Sequence, residues 1–466
     1  MTAIVTSNFR VINAENFKED VADAATSVYV GIGKSDVWSN SSSDLTDAEP
    51  FTPTDSLNDL GEAYQNMIGM KLISASEISH VVPRHTWSSG DSYYGWDSYL
   101  DVNEQASSIY DKKFYTVTPE YKVYKCIEAG NAGSTIQPTQ TLTDPTEESD
   151  GYVWKYMYTI SVADAGKFLT TSYMPVKTVS LDYANNGAAE ADLSEADYAQ
   201  YLNQKASRDS TTAAGIERIE VTDGGTYSTA PTINISGDGT DATATAVMSG
   251  TGSNQAVESI NITNKGRDYT IADITFSSGD ASARAVIAPE QGHGVDPVKE
   301  LGAFFISLNT QLTGTESGDL TIGNDFRQVT VVRNPKNYAN NNIATAETLK
   351  ALRYLDFDAA VTVTDYGVDE LITGSTSEAK AYIVEIDSSN GYIYYHQNSK
   401  TGYKQFVDGE DITGSISNTV GALQNASALG DPEVQIGTGD IMFLENRNPI
   451  NRVATQIEDI KIIIEF

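Results

Sequence analysis

Four histidines, one cysteine and a large excess of carboxylates are the residues with which this chain could do chemistry. Their spacing assembles no catalytic constellation. His80 and His85 flank Pro83 near an expected strand end, and neither has a cysteine or acid at the spacing that ligates a metal. His293 and His396 stand far from both. There is no Gly-x-Ser-x-Gly elbow at a strand-to-helix junction, and no phosphate-binding loop with its lysine or calcium-binding EF-hand loop. Carboxylates are too numerous for any pair to be singled out for glycoside hydrolysis. The turn Gly237-Asp-Gly-Thr-Asp241 has the oxygen chemistry that calcium prefers. The same residues also make a plain hairpin turn, which is the expectation. No catalytic residue, metal ligand or cofactor site is expected.

One stretch has the chemistry of contact. Between Thr86 and Tyr99 lie Trp87, Tyr93, Tyr94, Trp96 and Tyr99, set among serines, glycines and aspartates with no period of two or 3.6. Tyr and Trp present large amphipathic area at low rotamer cost, while Ser and Gly let the backbone adapt. The expectation is a subunit-contact loop, with Tyr93, Tyr94 and Trp96 above all buried against another subunit. The alternative is a tethered loop that tucks Trp87 and Trp96 into its own domain.

The elements around this loop read as β. Tyrosine (26) and glycine (36) are abundant beside Ser, Thr and Asn, which favours strands joined by turns. Tyr152, Trp154, Tyr156, Tyr158 and Ile160 alternate with smaller or polar residues, so a period of two places all five on one face of a strand. Ile460, Ile462, Ile464 and Phe466 repeat the pattern at the end of the chain, where Ile463 suggests cover on both sides. Val28-Tyr-Val-Gly-Ile32 is a further strand. Helices are expected after Asn13 as N-cap, with Phe17, Val21 and Ala24 apolar, and from about Thr54, with Leu57, Leu60, Tyr64 and Met67 on one side. A third is expected after Ser194, whose capping pair is completed by Asp197.

Two segments contain duplications. Ile219-Glu-Val-Thr-Asp-Gly-Gly-Thr-Tyr227 recurs from Ile260 to Tyr269, an offset of 41 residues at its start, and each copy continues into a second strand and an alanine-rich third. Ile372-Thr-Gly-Ser375 recurs 40 residues later as Ile412-Thr-Gly-Ser415. Short duplicated β-units need a neighbour to complete a core, so the copies should pack together. The reading is a core β-sandwich over 1–214, 291–359 and 428–466, interrupted by small inserted β-domains at 215–290 and 360–427. Long insertions in surface loops are tolerated because closure entropy grows slowly with length.

The net charge of −34 repels a phosphate backbone, so nucleic acid is excluded as a partner. A single cysteine, Cys126, allows no intramolecular disulfide, which fits a reducing cytosol. No run approaches the roughly 18 apolar residues of a membrane span, and the first ten residues have no basic segment leading into an apolar one. Production in the cytosol without membrane insertion is expected.

Several segments, in order along the chain, resemble a known family. They are Ala3-Ile-Val-Thr-Ser-Asn-Phe-Arg10, Asp36-Val-Trp-Ser39, Pro53-Thr-Asp-Ser56, Val82-Pro-Arg84 with Trp87, Asp150-Gly-Tyr-Val-Trp154, Asn324-Asp-Phe-Arg-Gln328, Asn334-Pro335, and Gly439-Asp440 leading to Glu445-Asn-Arg447 and Pro449-Ile450. Together they resemble the gene-eight family of baseplate wedge subunits in T-even-like contractile-tailed bacteriophages. The resemblance covers about 300 residues outside the two inserts, taken from their boundaries. The inserts depart from it, as do Gly292–Pro297 and Asn448, where the family suggests proline. It implies a mainly β protein, a layered sandwich with helix-bearing loops. It also implies a non-enzymatic structural role, other wedge proteins as partners, a homodimer, and a place in the virion tail after assembly in the host cytoplasm. The competing reading from the residues is a receptor- or carbohydrate-binding tail module, with a virion-associated glycan hydrolase behind it.

Overall fold

In the computed structural model, described for residues 3–38, 46–99, 108–181, 193–209 and 214–466, strands make up 39% and helices 14%, in several antiparallel sheets. The mainly β expectation holds. The chain forms two compact units: Met1–Glu15 with Ser79–Ile306 and Glu465–Phe466, and Asn16–Ile78 with Ser307–Ile464.

The second unit contains a five-stranded antiparallel sheet in the order Thr348–Lys350, Met67–Leu72, Val28–Gly33, Asp325–Arg333, Asp440–Asn451. Val28–Gly33 is its middle strand and every residue is buried, which is why it reads as a continuous apolar run. Val30 stands opposite Lys71 on one side and Val331 on the other. Tyr29, Met70, Val332, Leu349 and Val434 form the hydrophobic cluster of this sheet.

The same unit holds a seven-stranded sheet, in the order Val420–Ala422, Asp411–Gly414, Leu371–Gly374, Lys380–Asp387, Tyr392–His396, Arg353–Asp356, Leu429–Gly430. The duplicated strands pair with each other: Ile372 faces Gly414, Thr373 faces Thr413 and Gly374 faces Ile412. A local two-fold axis therefore passes between the two threonines. Across it the copies exchange carboxylates. Glu410 accepts the Thr376 and Ser377 N–H groups, both at 2.9 Å, and Glu370 accepts those of Ile416 and Ser417, both at 2.6 Å. A Cβ on Gly374 would stand 2.5 Å from Glu410 Oε2, and one on Gly414 2.6 Å from Glu370 Oε1. The repeated glycine makes room for the repeated carboxylate. The sheet takes in residues on both sides of 360–427, and Leu355, Phe357 and Ala428 belong to its hydrophobic cluster.

In the first unit, Tyr115–Val117, Lys122–Glu128, Val153–Thr159 and Thr146–Glu147 form a sheet, and His80–Pro83 pair with Tyr173–Val176. The aromatic strand does not place its five large residues on one face. Tyr152, Trp154 and Tyr156 join one buried cluster with Tyr93, Tyr124 and Cys126. Tyr158 and Ile160 join another with Met157, Val82 and Phe114. The cause is a bulge: Tyr124 pairs with Tyr156 but Val123 with Tyr158, so Met157 is the extra residue and the phase slips.

Residues 216–287 form a four-stranded sheet, Ile233–Gly237, Ala272–Phe276, Ser282–Ile287, Ile216–Asp223, and a ribbon of Thr243–Ser249 with Ala256–Asn264. The first strand of each copy pairs with the third strand of the other, and the two second strands pair together. Neither copy can close its own sheet, and both fill one cluster with Ile219, Tyr227, Ile260 and Tyr269. The turns are exchanged too. Asp280 accepts the Thr226 N–H at 2.8 Å, and Asp238 accepts those of Thr270 at 2.8 Å and Ile271 at 3.1 Å. The carboxylate of the Gly237–Asp241 turn thus serves the other copy's backbone. The chain enters and leaves this body side by side, where Ala288 N–H meets the Gly215 carbonyl at 2.9 Å.

The helices correct the expected starts. The first runs Ser7–Ala22, so Asn13 lies inside it and does not cap it. Val11, Ala14, Phe17 and Val21 make its buried face, while Phe9 and Ile12 are exposed. The second is Leu57–Asn66 with Ser56 as N-cap; Leu57 points to solvent, and Met67 already begins the next strand. Ser194 caps Glu195–Arg208 through the Asp197 N–H, as its capping pair suggests.

Candidate interaction site

The aromatic loop lies between the sheet of the first unit and the duplicated body at 216–287, and each of its aromatics has a different surrounding. Trp87 packs on the Tyr152/Trp154 cluster and donates its indole N–H to Ser134 at 3.3 Å. Tyr93 is buried, edge-on to Trp154 at 5.0 Å and to Tyr152 at 6.2 Å. Tyr94 packs against the other cluster with Lys112 4.8 Å from its ring. Trp96 is half-buried, with Lys125 Nζ 3.8 Å over its ring and His293 edge-on at 5.7 Å. Tyr99 is 53% exposed.

The rings of Trp87 and Tyr93 are therefore spent inside the fold, while residues 96–99 meet the duplicated body of the same chain. The Trp96 indole N–H reaches the Ile287 carbonyl at 3.4 Å, and the Ile287 N–H donates to Ser98 Oγ at 3.0 Å. Arg218 donates to the Trp96 carbonyl and to that of Ile127 at 3.0 Å. Asp97 receives Arg284 in a fork, at 2.8 Å and 2.5 Å, with Arg218 3.7 Å away. Glu220 closes the network by pairing with both arginines. The Arg284 guanidinium carbon sits 5.2 Å from the centre of the Tyr99 ring. Asp97 is almost wholly buried, so this is a desolvated, bidentate tether rather than a surface ion pair.

Strand register explains how the body presents these groups. Glu220 faces Arg284 and Arg218 faces Val286. The neighbours Ile219, Val221, Ala283 and Ala285 point the other way, into the body's own cluster. Asp97, Arg218 and Arg284 are the residues that sequence reasoning missed, although a signal was present. In the other copy the positions of Arg218, Glu220 and Arg284 hold Ser259, Asn261 and Thr245, paired in the same register. Where one copy meets the loop, all three positions break from neutral to charged.

Beneath the tether runs a buried polar seam. Lys125 and Glu300 pair at 2.8 Å, and burial lowers the lysine pKa while Glu300 opposes the shift. Glu300 also accepts the Gly294 N–H at 2.7 Å. Lys155, pushed down to about 8 by burial, donates to Ser207 Oγ at 3.0 Å and Asn203 Oδ1 at 3.3 Å. His293 lies 3.8 Å from Glu217 and 3.9 Å from Glu300. Burial, and then the nearby lysines, hold it well below the usual imidazole range. His80 donates to the Ala303 carbonyl at 2.9 Å, and His396 meets Ser35 Oγ at 3.2 Å. Among the described residues, no three His, Cys, Asp or Glu side chains are grouped to hold a metal ion. What this arrangement does is fix one body against another.

Comparison with known proteins gives a match in the N-terminal part of the chain. Residues 3–142, which contain the whole loop, match the family model described as Bacteriophage T4, Gp8. The baseplate wedge protein gp8 of Enterobacteria phage T4 is 24% identical over 190 residues, covering 34% of this chain and 55% of that protein. The chain thus spans about half the length of the curated relative it matches. Its N-terminal part is gene-eight-like in sequence.

Proposed function

We propose that this protein is a structural subunit of the baseplate wedge of a contractile-tailed bacteriophage, one that binds other wedge proteins and catalyses nothing. The observation that carries the reading is the gene-eight match across residues 3–142. The architecture is consistent with it: side chains with reactive chemistry are consumed in tethers and caps, as in the Asp97–Arg284 fork and the Glu370 and Glu410 exchange. Among the described residues no helix is long and apolar enough to cross a membrane.

Under this reading the chain assembles in the host cytoplasm, self-associates as a homodimer, and resides in the tail baseplate. Of the aromatic loop, Tyr99 is the member we propose meets a neighbouring subunit, since its ring is the most exposed of the five. The test is a cryo-EM map of the intact tail together with particles grown without this chain. The expected result is density for the chain in the wedge and tails that fail to complete a baseplate. Finding it in the capsid, or infectious tails with normal baseplates in its absence, would overturn the proposal.

A further inference from the structure

The outward face of the seven-stranded sheet carries an arrangement that the gene-eight match does not reach. Leu355, Ile383, Ile393 and Tyr395 point inward to the hydrophobic cluster. Register places their alternates together on the opposite side. Tyr354 faces Tyr394 and Gly430, Asp356 and Asp387 both face Tyr392, and Glu385 faces Tyr394. The rings of Tyr354 and Tyr392 stack at 4.4 Å with 25° between planes, and Tyr394 lies 5.5 Å from Tyr354. A Cβ at position 430 would stand 2.0 Å from the Tyr354 ring, so this tyrosine lies directly over glycine backbone and its orientation is fixed. All three rings remain partly open to solvent. The result is a rigid aromatic strip with Asp356, Glu385 and Asp387 along it.

We propose that this face is a docking surface for an arginine-bearing segment of a partner protein. The chain shows how the face treats a cation. Lys350 places its ammonium 3.7 Å over the Tyr394 ring and 2.8 Å from Glu385. The loop of the first unit repeats the chemistry with Arg284 over Tyr99 and forked onto Asp97. On the sheet, Lys350 pairs with Glu385 and the Ser389 and Asn390 amides cap Asp387, while Asp356 sets its negative charge opposite Tyr392. An arginine suits that surface better than a lysine, because its planar guanidinium stacks on tyrosine while its fork holds a carboxylate. The net charge of −34 adds long-range attraction for a basic partner but selects no site. This inference goes beyond the wedge reading and does not depend on it.

The test uses the full chain and a fluorescein-labelled hexa-arginine peptide, followed by anisotropy at physiological salt. Three variants are compared: Tyr392→Ala, Asp356→Asn, and Glu258→Gln, the last removing a charge from an exposed strand position elsewhere. Tyr392→Ala and Asp356→Asn should each weaken binding about fivefold or more, the scale of a partly desolvated cation–π contact or charged hydrogen bond. Glu258→Gln should change it less than about twofold, as expected of a screened surface charge. If Tyr392→Ala disturbs folding, Asp356→Asn keeps every ring and decides alone. Equal losses in all three variants would mean general acidity and overturn the proposal, as would no binding by the unaltered chain. Displacement of the peptide by a neutral oligosaccharide would also overturn it and make the face a sugar platform. None of these outcomes bears on whether the chain belongs to a baseplate.

Discussion

Replacing Glu410 by glutamine should loosen the two-fold heart of the seven-stranded sheet. Glu410 is nearly fully buried, and its carboxylate accepts the N–H groups of Thr376 and Ser377 at 2.9 Å, Val407 at 2.8 Å, and the Ser377 hydroxyl at 2.8 Å. The donors are divided between its two oxygens. A carboxamide keeps one oxygen and turns an NH2 toward the other donors, so at least one buried N–H loses its acceptor. An unsatisfied buried group costs about 1–3 kcal/mol and a lost charged acceptor adds to it, so about 2–3 kcal/mol is expected. Glu370 sits in the mirror position, with Ile416 and Ser417 at 2.6 Å and Gly367 at 3.0 Å. Glu370→Gln should therefore cost the same within about 1 kcal/mol. The pH dependence has a definite sign. Burial raises both carboxyls, but the backbone donors outweigh it and the net shift is down from 4.5. A depressed folded pKa gives stability that is present above 4.5 and is lost as pH falls through the lower folded value. Amide exchange in Leu371–Gly374 and Asp411–Gly414 measures the effect locally, at pH 7 and again in acid. A Glu410→Gln variant whose exchange matches the unaltered chain at pH 7, or whose acid sensitivity is undiminished, would refute the assignment of the carboxylate as the lock.

Three further outcomes are expected. Asp97→Asn should weaken the arginine fork by about 2 kcal/mol, between the values for exposed and buried pairs; faster exchange of the Ile287 amide is the readout, with the rest of the 216–287 body unchanged. His396, held down to about 4 chiefly by burial and only partly offset by Asp36, is neutral when folded, whereas the unfolded imidazole takes a proton near 6.5. Stability should therefore fall by up to roughly 3 kcal/mol as pH drops from 6.5 toward 4, and His396→Gln should flatten the urea midpoint over pH 6.5 to about 5. Excising 215–290 behind a short glycine linker should leave a cooperatively folding chain, because its ends meet at Gly215 and Ala288; excising 360–427 should be less well tolerated, because it strips Leu355, Phe357 and Ala428 of their cluster.

Much of the fold was legible because its signals are local. Val28–Gly33 reads as a buried strand from composition alone, and Ser194 with Asp197 announces a helix start. The duplications at 219 and 260, and at 372 and 412, announce paired β-units because neither copy has surface enough to bury alone. The failures occur where a neighbour sets the outcome. Nothing within Tyr152–Ile160 tells that Met157 is bulged, since the bulge exists only against Lys122–Glu128. Nothing around Asn13 tells that the helix begins at Ser7, because its first turn is solvent-facing and its buried face begins at Val11. The aromatic loop has the chemistry of a contact, but composition cannot name the surface it meets, and the contacts seen for Trp87, Tyr93 and Trp96 lie within the same chain.

The repeats offer a way past that limit. Within a duplicated unit, residues kept in both copies serve the fold: Glu370 and Glu410 lock each other's turns. Three residues that differ between copies answer to something outside the pair. Arg218 against Ser259, Glu220 against Asn261 and Arg284 against Thr245 are such differences, and all three charged residues belong to the network built on Asp97. A two-fold body has two equivalent edges, and only one can face the loop. Charge placed on one edge and withheld from the other is what makes that choice, because an arginine on the wrong edge would be left without its buried carboxylate. Moving the charges to Ser259, Asn261 and Thr245 while neutralising the originals should therefore release the body from the loop without unfolding it.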